Sequence, residues 1–498
     1  MHEIPKSTIN QIINDLLNVS PNEQILSINK KKISRRQLYF LVQLYKKNLT
    51  ILGLKKNNSL LALIDNSLEQ IVLVLSCLSL GIIWIPLGNE RKGVGLHYII
   101  NLTNPKFIIT KNGNNKFVPK IYKHKILKLS NIKSKKKGKN INYILAKNPK
   151  CILFTSGTTG PPKGVIVNEK MLITSAYSTG LACNVNSTDK FLLWESLHHI
   201  GGLEILFLCL IKKIRMVVIK KFSASEFWKQ INEHKITKLH YLGGILDILI
   251  KQKPSKFDKK HSIKLGFGAG ARNETYKMFK KRFNIPLREV YGMTEASSFT
   301  TINFKNIKNS IGQSLPWFKL KLINEHKNTG EIAIKELSKD IITQGYYKDR
   351  KATSGSFRNG WFYTGDIARK DKYGNFYFVG RKKDSIRVKG ENIAAWEIES
   401  NIVLHKDISE VAVLGTKAKI GEEDMIALII KKKKENLSIK NLSKYFIKKM
   451  NKNHIPRYWA LVNSFPRTTT LRIDKKNIKL SGTRVYDNYK DKFIYKKN

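Results

Sequence analysis

At 498 residues the chain has room for two to four domains with cores of their own, at roughly 100–200 residues each, so it is no mini-protein. Its four cysteines, Cys77, Cys151, Cys183 and Cys209, stand too far apart for a disulfide framework or a metal cluster, and a reducing cytoplasm suits them. Lysine and arginine number 91 against 37 acidic residues, a formal net charge of +54, but the cations run through nearly every segment instead of gathering on one arm, which argues against a nucleic-acid partner.

In chain order, the opening "MHEIPKSTINQIINDLL" has an early acid, a proline and no uninterrupted apolar core, unlike a secretory signal. Strand-like runs then alternate with helical stretches: "SLLALID" (59–65), a helix over 67–80, "IIWIPL" (82–87), "KFIIT" (106–110) and "CILFTS" (151–156). Such alternation predicts an α/β fold with a largely parallel sheet. The most apolar run, "IVLVLSCLSLGIIWIPL" (71–87), is broken by Ser, Gly and Pro and falls short of the roughly 18–20 residues of a membrane span, so it reads as a buried helix and strand. From "GEIAI" (330–334) the pattern turns to short strands with turn signals, as in "DKYGNFYFVGRKKD" (371–384). A boundary near Lys383 separates a final stretch with its own strands and helices, including "ISEVAVLGT" (408–416) and "NLSKYFIKKM" (441–450).

Chemistry begins at "FTSGTTGPPKG" (154–164). A buried strand runs into Thr155, Ser156, Gly157, Thr158, Thr159 and Gly160, closed by Lys163. Glycines let backbone N–H groups approach phosphate oxygens, hydroxyls donate, and the lysine adds a point charge. The lysine lies three residues past Gly160 with two prolines between, so this is not the P-loop spacing.

With "YGMTE" (291–295), "GWFYTGD" (360–366) and "GRKKDSIRVKGENI" (380–393) following in order, the chain resembles the acyl-adenylate-forming superfamily of acyl-CoA synthetases, peptide-synthetase adenylation domains and luciferases over almost its whole length. The resemblance implies a large N-terminal AMP-binding and acyl-substrate domain of stacked βα subdomains (1–382) and a small mobile α+β domain (383–498) hinged at Lys383. It implies ATP, Mg²⁺ and coenzyme A as cofactors, a small carboxylic acid as substrate, and an acid-thiol ligase that forms an acyl-adenylate with release of pyrophosphate, then acyl-CoA and AMP. In this reading Thr294 touches phosphate and Glu295 holds Mg²⁺, while Tyr291 stacks on adenine opposite "GAGA" (Gly268, Ala269, Gly270, Ala271). Asp366 and Arg381 take the ribose hydroxyls, and after rotation the loop around Arg387, Gly390 and Asn392 faces the site, although Gly390 has an ordinary turn glycine as its alternative.

By the same resemblance the acyl pocket is lined by the segment after "LHHIGG" (197–202), by "HYLGGILDIL" (240–249) and by residues around "GAGA" and "YGMTE". His199 falls at the family's gate, with a structural histidine as the competing reading. The pocket segments and the ending are similar to the crotonobetaine/carnitine-CoA ligase-type branch, for which Trp194, Glu195 and Tyr241 are candidate partners of a quaternary ammonium. A stand-alone enzyme loading a carrier protein is the first rival. A catalytically weak nucleotide-binding homologue is the second, and it rests on one departure. In "PRTTTLRIDKK" (466–476), Leu471 stands where the family has glycine and Arg472 where it has a catalytic lysine. Either Arg472 does the lysine's work with altered geometry, or Lys475 or Lys476 substitutes from three or four residues along, or adenylation is weak; the first is favoured because the other ATP contacts are all present.

Overall fold

The computed structural model describes residues 3–88, 91, 93–110, 114–133, 150–155, 162–271, 273–326, 328–382, 385–388, 391–417, 423–432, 438–450, 454–468 and 472–495. Their first sheet has the strand order Ile126–Leu127, Phe107–Thr110, Ser59–Leu63, Ile83–Leu87, Lys150–Thr155, Lys163–Asn168. Pairing is parallel except at the end, where Lys150–Thr155 and Lys163–Asn168 form an antiparallel hairpin. All five positions of "SLLAL" are buried, as in a strand covered on both faces. The helix Leu68–Leu80 starts on the Ser67 side chain, ends at Gly81 in the left-handed region, and is buried from Gln70 onward. That burial explains the apolar run at 71–87, and among the described residues no helix is long and apolar enough to cross a membrane.

The second sheet runs Gln313–Ser314, Ser298–Ile302, Leu287–Met293, Leu265–Ala269, Lys238–Leu242, Lys190–Leu193, Arg215–Val218, Gln24–Ile28, Lys31–Ser34. It is parallel at its centre and antiparallel at both edges. Helices Glu169–Cys183 and Ile200–Lys212 are buried along most of their length between the layers, in a core that also takes in the helix Leu68–Leu80. All four cysteines are buried and free, and burial pushes the thiols of Cys151 and Cys183 up to about 12.

The third sheet is antiparallel, built on Phe318–His326, Thr329–Glu336, Trp361–Lys370 and Phe357–Arg358, with Phe376–Arg381 paired to Trp361–Lys370. Beyond it, Ser385–Val388 pairs with Glu391–Ala394, and Ile408–Lys417, Glu423–Lys431, Tyr458–Leu461, Arg484–Asp487 and Lys492–Tyr495 make a further sheet. This last part has its own core, where Phe446 stacks on the fully buried Trp459 with ring centroids 5.7 Å apart. It touches the preceding part through Lys251, whose Nζ lies 2.9 Å from Glu410 Oε1; Arg467 holds the other oxygen of that carboxylate. The architecture is α/β with a smaller α+β portion at its C-terminal end.

Candidate active site

The hairpin of the first sheet delivers the phosphate-binding candidates. Thr155 and Lys163 are register partners at its open end. Ser156, Gly157, Thr158, Thr159 and Gly160 lie outside the described residues, as do Lys383, Gly390 and Leu471. Arg387 is described only as part of the strand Ser385–Val388, opposite Asn392.

From the second sheet, strand Leu287–Met293 carries Tyr291 into contact with the third sheet. Its hydroxyl donates to Asp366 Oδ2 at 2.8 Å, and Arg381 Nε lies 3.2 Å from the other oxygen, Oδ1. Asp366 and Arg381 face each other across paired strands, so one register fixes both. Burial, with Asp366 adding to it, pushes the Tyr291 hydroxyl well above its ordinary value, so it remains a hydrogen-bond donor.

The "GAGA" turn follows strand Leu265–Ala269 and is held from behind by Glu289. That carboxylate accepts from the N–H groups of Gly270 and Ala271 (3.2 Å to Ala271) and from the Tyr241 hydroxyl at 2.7 Å. Burial, against those bonds, raises Glu289 to about 7. Gly243 and Gly268 are both required by close approach: a Cβ at Gly243 would lie 1.8 Å from Gly270 O, and one at Gly268 1.9 Å from Tyr241 O. Strand alternation signals Glu289, since it shares a face with Tyr291 and Met293, but the sequence reading passed it over.

After Met293 the chain turns through a short 3₁₀ segment, Thr294–Ala296. Half-buried Glu295 accepts from the Tyr346 hydroxyl at 2.9 Å, and burial raises its carboxyl above the ordinary value while that bond acts in the other direction. The Tyr346 ring carries Lys163 Nζ 4.7 Å from its centroid. Tyr346 was also missed, and "TQGYYKDR" gives only a weak signal for it.

On the acyl side, His199 is the N-terminal cap residue of helix Ile200–Lys212, its ring centroid 4.1 Å from that of His198. Burial lowers its pKa, with Glu195 opposing and Arg91 assisting, so the ring is neutral. Glu195 lies within a buried acid–base cluster. His240 Nδ1 is 3.1 Å from Glu195 Oε2, His240 Nε2 is 3.6 Å from Glu204 Oε1, and the Trp194 indole donates to His240 O at 2.9 Å. Burial favours the neutral form of Glu195, but the His240 imidazole beside it outweighs that and keeps this carboxyl ionised. Burial opposes charge on His240 too, yet its acidic neighbours, Glu195 above all, raise it. Tyr241 is not with them. Alternation on strand Lys238–Leu242 turns it to the face opposite His240, fully buried in a core that also holds Trp194, Ile245 and Phe279.

Burial raises Glu204 from 4.5 to about 8, against the pull of His240 and with Ser298 and Thr179 beside it. Between those values the folded protein holds a proton that the unfolded chain has lost, so Glu204 makes stability fall as pH rises through that window. Glu204→Gln, a neutral isostere, is expected to flatten the decline of melting temperature between about pH 5 and about pH 8. An unchanged slope would show that Glu204 is ionised throughout.

Arg472 comes from the far end of the chain. Its backbone N–H donates to Thr468 Oγ1 at 3.2 Å and its carbonyl accepts from Thr468 N at 2.9 Å. The residue is exposed; desolvation by nearby protein and the charge of Arg381 lower the guanidinium's pKa while Asp366 and Glu195 raise it. It stays cationic. Arg472 therefore lies in electrostatic reach of both the Asp366 side and the Glu195 side of the cleft. Lys475 does not share this place, because its Nζ pairs with Glu399 Oε1 at 2.7 Å.

Residues 17–347 match the family of AMP-binding enzymes. The chain belongs to that family. This AMP-binding enzyme is 29% identical to the crotonobetaine/carnitine–CoA ligase of Escherichia coli O17:K52:H18 over 340 residues, 66% of each chain. It is as similar over the same length to the enzyme of that description from Shigella dysenteriae serotype 1. The matched stretch thus spans just under two thirds of those relatives' own length. Among solved structures it resembles o-succinylbenzoate CoA synthetase from Bacillus subtilis with its acyl-adenylate intermediate, at TM-score 0.82 and 23% identity over 94% of this chain and 97% of that one. ATP-bound MatB from Rhodopseudomonas palustris gives TM-score 0.85 at 21% identity over 94% and 98%. These likenesses establish the fold.

Proposed function

We propose that the protein activates a small carboxylic acid with ATP, releasing pyrophosphate, and passes the acyl group to coenzyme A to give acyl-CoA and AMP. The observation that carries this reading is the convergence of Tyr291, Asp366, Arg381, Glu295 and Arg472, from three separate parts of the chain, on one cleft. A carboxylate and ATP are both anions, so the site must neutralise charge and align the attacking oxygen with the α-phosphorus. Lys163 and Arg472 supply fixed positive charge, Asp366 and Arg381 orient the ribose, Tyr291 and the "GAGA" turn flank adenine, and Thr294 donates to phosphate. Glu295 suits a hard cation, since it offers carboxylate oxygen in a half-buried place that resists its negative charge. Mg²⁺ held there would neutralise phosphate oxygens.

The thioester step requires residues 383–498 to rotate about a hinge at Lys383, bringing Arg387 and Gly390 to the cleft, with His199 as the gate between steps. Trp194 and Glu195 offer an aromatic face and an anion to an ammonium-bearing acid, the class named by the curated relatives. A cytoplasmic setting accords with four buried free thiols.

The test is mass spectrometry of the protein with ATP, Mg²⁺, coenzyme A and a panel of carnitine, crotonobetaine, fatty and aryl acids. AMP together with one acyl-CoA is expected. AMP and thioester appearing only with a phosphopantetheine-loaded carrier protein would replace coenzyme A as acceptor, and no AMP under any condition would overturn the reading.

A further inference from the structure

Lys163 and Glu295 belong to different sheets, so something must fix their separation. Lys163 opens the last strand of the first sheet, whereas Glu295 follows Leu287–Met293 of the second. The segment Thr343–Tyr347 is stitched to both. Thr343 N donates to Glu295 O at 2.7 Å and Thr343 Oγ1 to Ile166 O at 2.7 Å. Ile166 N donates to Gly345 O at 3.2 Å, Tyr347 N to Gly164 O at 2.7 Å, and Val165 bridges to Tyr346. At the centre stands Tyr346, only 9% exposed, with Lys163 Nζ 4.7 Å from its ring centroid and its hydroxyl 2.9 Å from Glu295 Oε1.

Resting on the adenylate-forming reading, we propose that Tyr346 is a positioning residue that sets the phosphate-loop lysine and the Mg²⁺ carboxylate at a fixed spacing. Its two ends do different work. The hydroxyl aims the Glu295 carboxylate through Oε1 and offsets its desolvation. The ring offers its negative face to the Lys163 ammonium, which limits where that ammonium can meet phosphate. A tyrosine spans both tasks; phenylalanine keeps the second and leucine neither.

Calorimetric titration of the whole protein with ATP in EDTA, and again in Mg²⁺, separates the two. For Tyr346→Phe, the metal-free ATP Kd is expected to stay within about twofold of wild type, while the tightening that Mg²⁺ brings shrinks by about tenfold, since hydrogen bonds to charged groups have effects of that order. Tyr346→Leu should lose the same Mg²⁺ effect and also weaken metal-free ATP by about threefold or more. Wild-type Mg²⁺ tightening in Tyr346→Phe overturns the proposal and leaves the function intact. Equal weakening of metal-free and Mg²⁺-bound ATP in that variant also overturns it, since that is the mark of a general packing role. A wild-type protein that binds no ATP overturns the proposal and the function together.

Discussion

Arg472→Ala is expected to slow acyl-adenylate formation by about 10²–10³-fold, the usual cost of losing one preorganised group that meets transition-state charge, while transfer to coenzyme A from supplied acyl-adenylate stays within about threefold. The asymmetry follows from position. The guanidinium feels both Asp366, on the side the proposed function gives to nucleotide, and Glu195, on the side it gives to the acid. That is where a cation can touch carboxylate and α-phosphate together, and the two anions meet only in the first half-reaction. Arg472→Lys keeps the charge but loses the planar fork and its spread of donors, so a loss of about tenfold is expected. Single-turnover pyrophosphate release and thioester formation, measured separately, check this. Equal losses in both half-reactions would show that Arg472 does not act in adenylation, and the weak-homologue alternative would then regain its footing.

Gly292→Ala should do more damage to the molecule as a whole. A Cβ there would lie 1.5 Å from the carbonyl oxygen of Ser298, a backbone atom that cannot swing aside. The ladder between Leu287–Met293 and Ser298–Ile302 shifts register at Tyr291/Gly292, and only a residue without a side chain lets the strands cross so closely. Relieving the overlap must open the two strands, at an expected cost of about 3 kcal/mol or more. Any displacement also moves Tyr291 on one side and Thr294 and Glu295 on the other. A misplacement of about 1 Å lowers rate by about 10²-fold, so AMP formation should drop at least that far in whatever fraction folds. Thermal melting and AMP release would check both halves; a variant with wild-type melting and wild-type AMP release would mean that the strands have slack.

What the sequence made legible was whatever is local or periodic. The runs at 59–65, 82–87 and 106–110 announced a parallel sheet because strands covered on both faces are apolar without interruption. The motif residues Tyr291, Asp366 and Arg381 could be named because each sits in a dense, ordered motif, and they meet within hydrogen-bonding or ion-pair distance. Pairings between distant elements have no such signature. Nothing in "QILSI" says that Gln24–Ile28 will lie parallel to Arg215–Val218. The bond from Tyr346 to Glu295 and the contacts of His240 with Glu195 and Glu204 join different strands and loops, so neither a period nor a motif points to them. Tyr241 shows the same limit. Its position along the chain held no sign that it would be buried beside Trp194 with its hydroxyl on Glu289, behind the "GAGA" turn.

The Lys251–Glu410 contact bears on how the small C-terminal part is governed. Any rotation of that part must break this ion pair, but Glu410 keeps Arg467, which travels with it, so the carboxylate is never left bare. Lys251 is well exposed while Glu410 is largely covered, so solvent screens the pair from one side and its contribution is small, about 1 kcal/mol. So weak a latch can be sprung by whatever occupies the cleft. The stronger hold lies elsewhere, in the packing of helix Ala395–Ile402 on strand Phe376–Arg381, and any such rotation has to undo that packing as well.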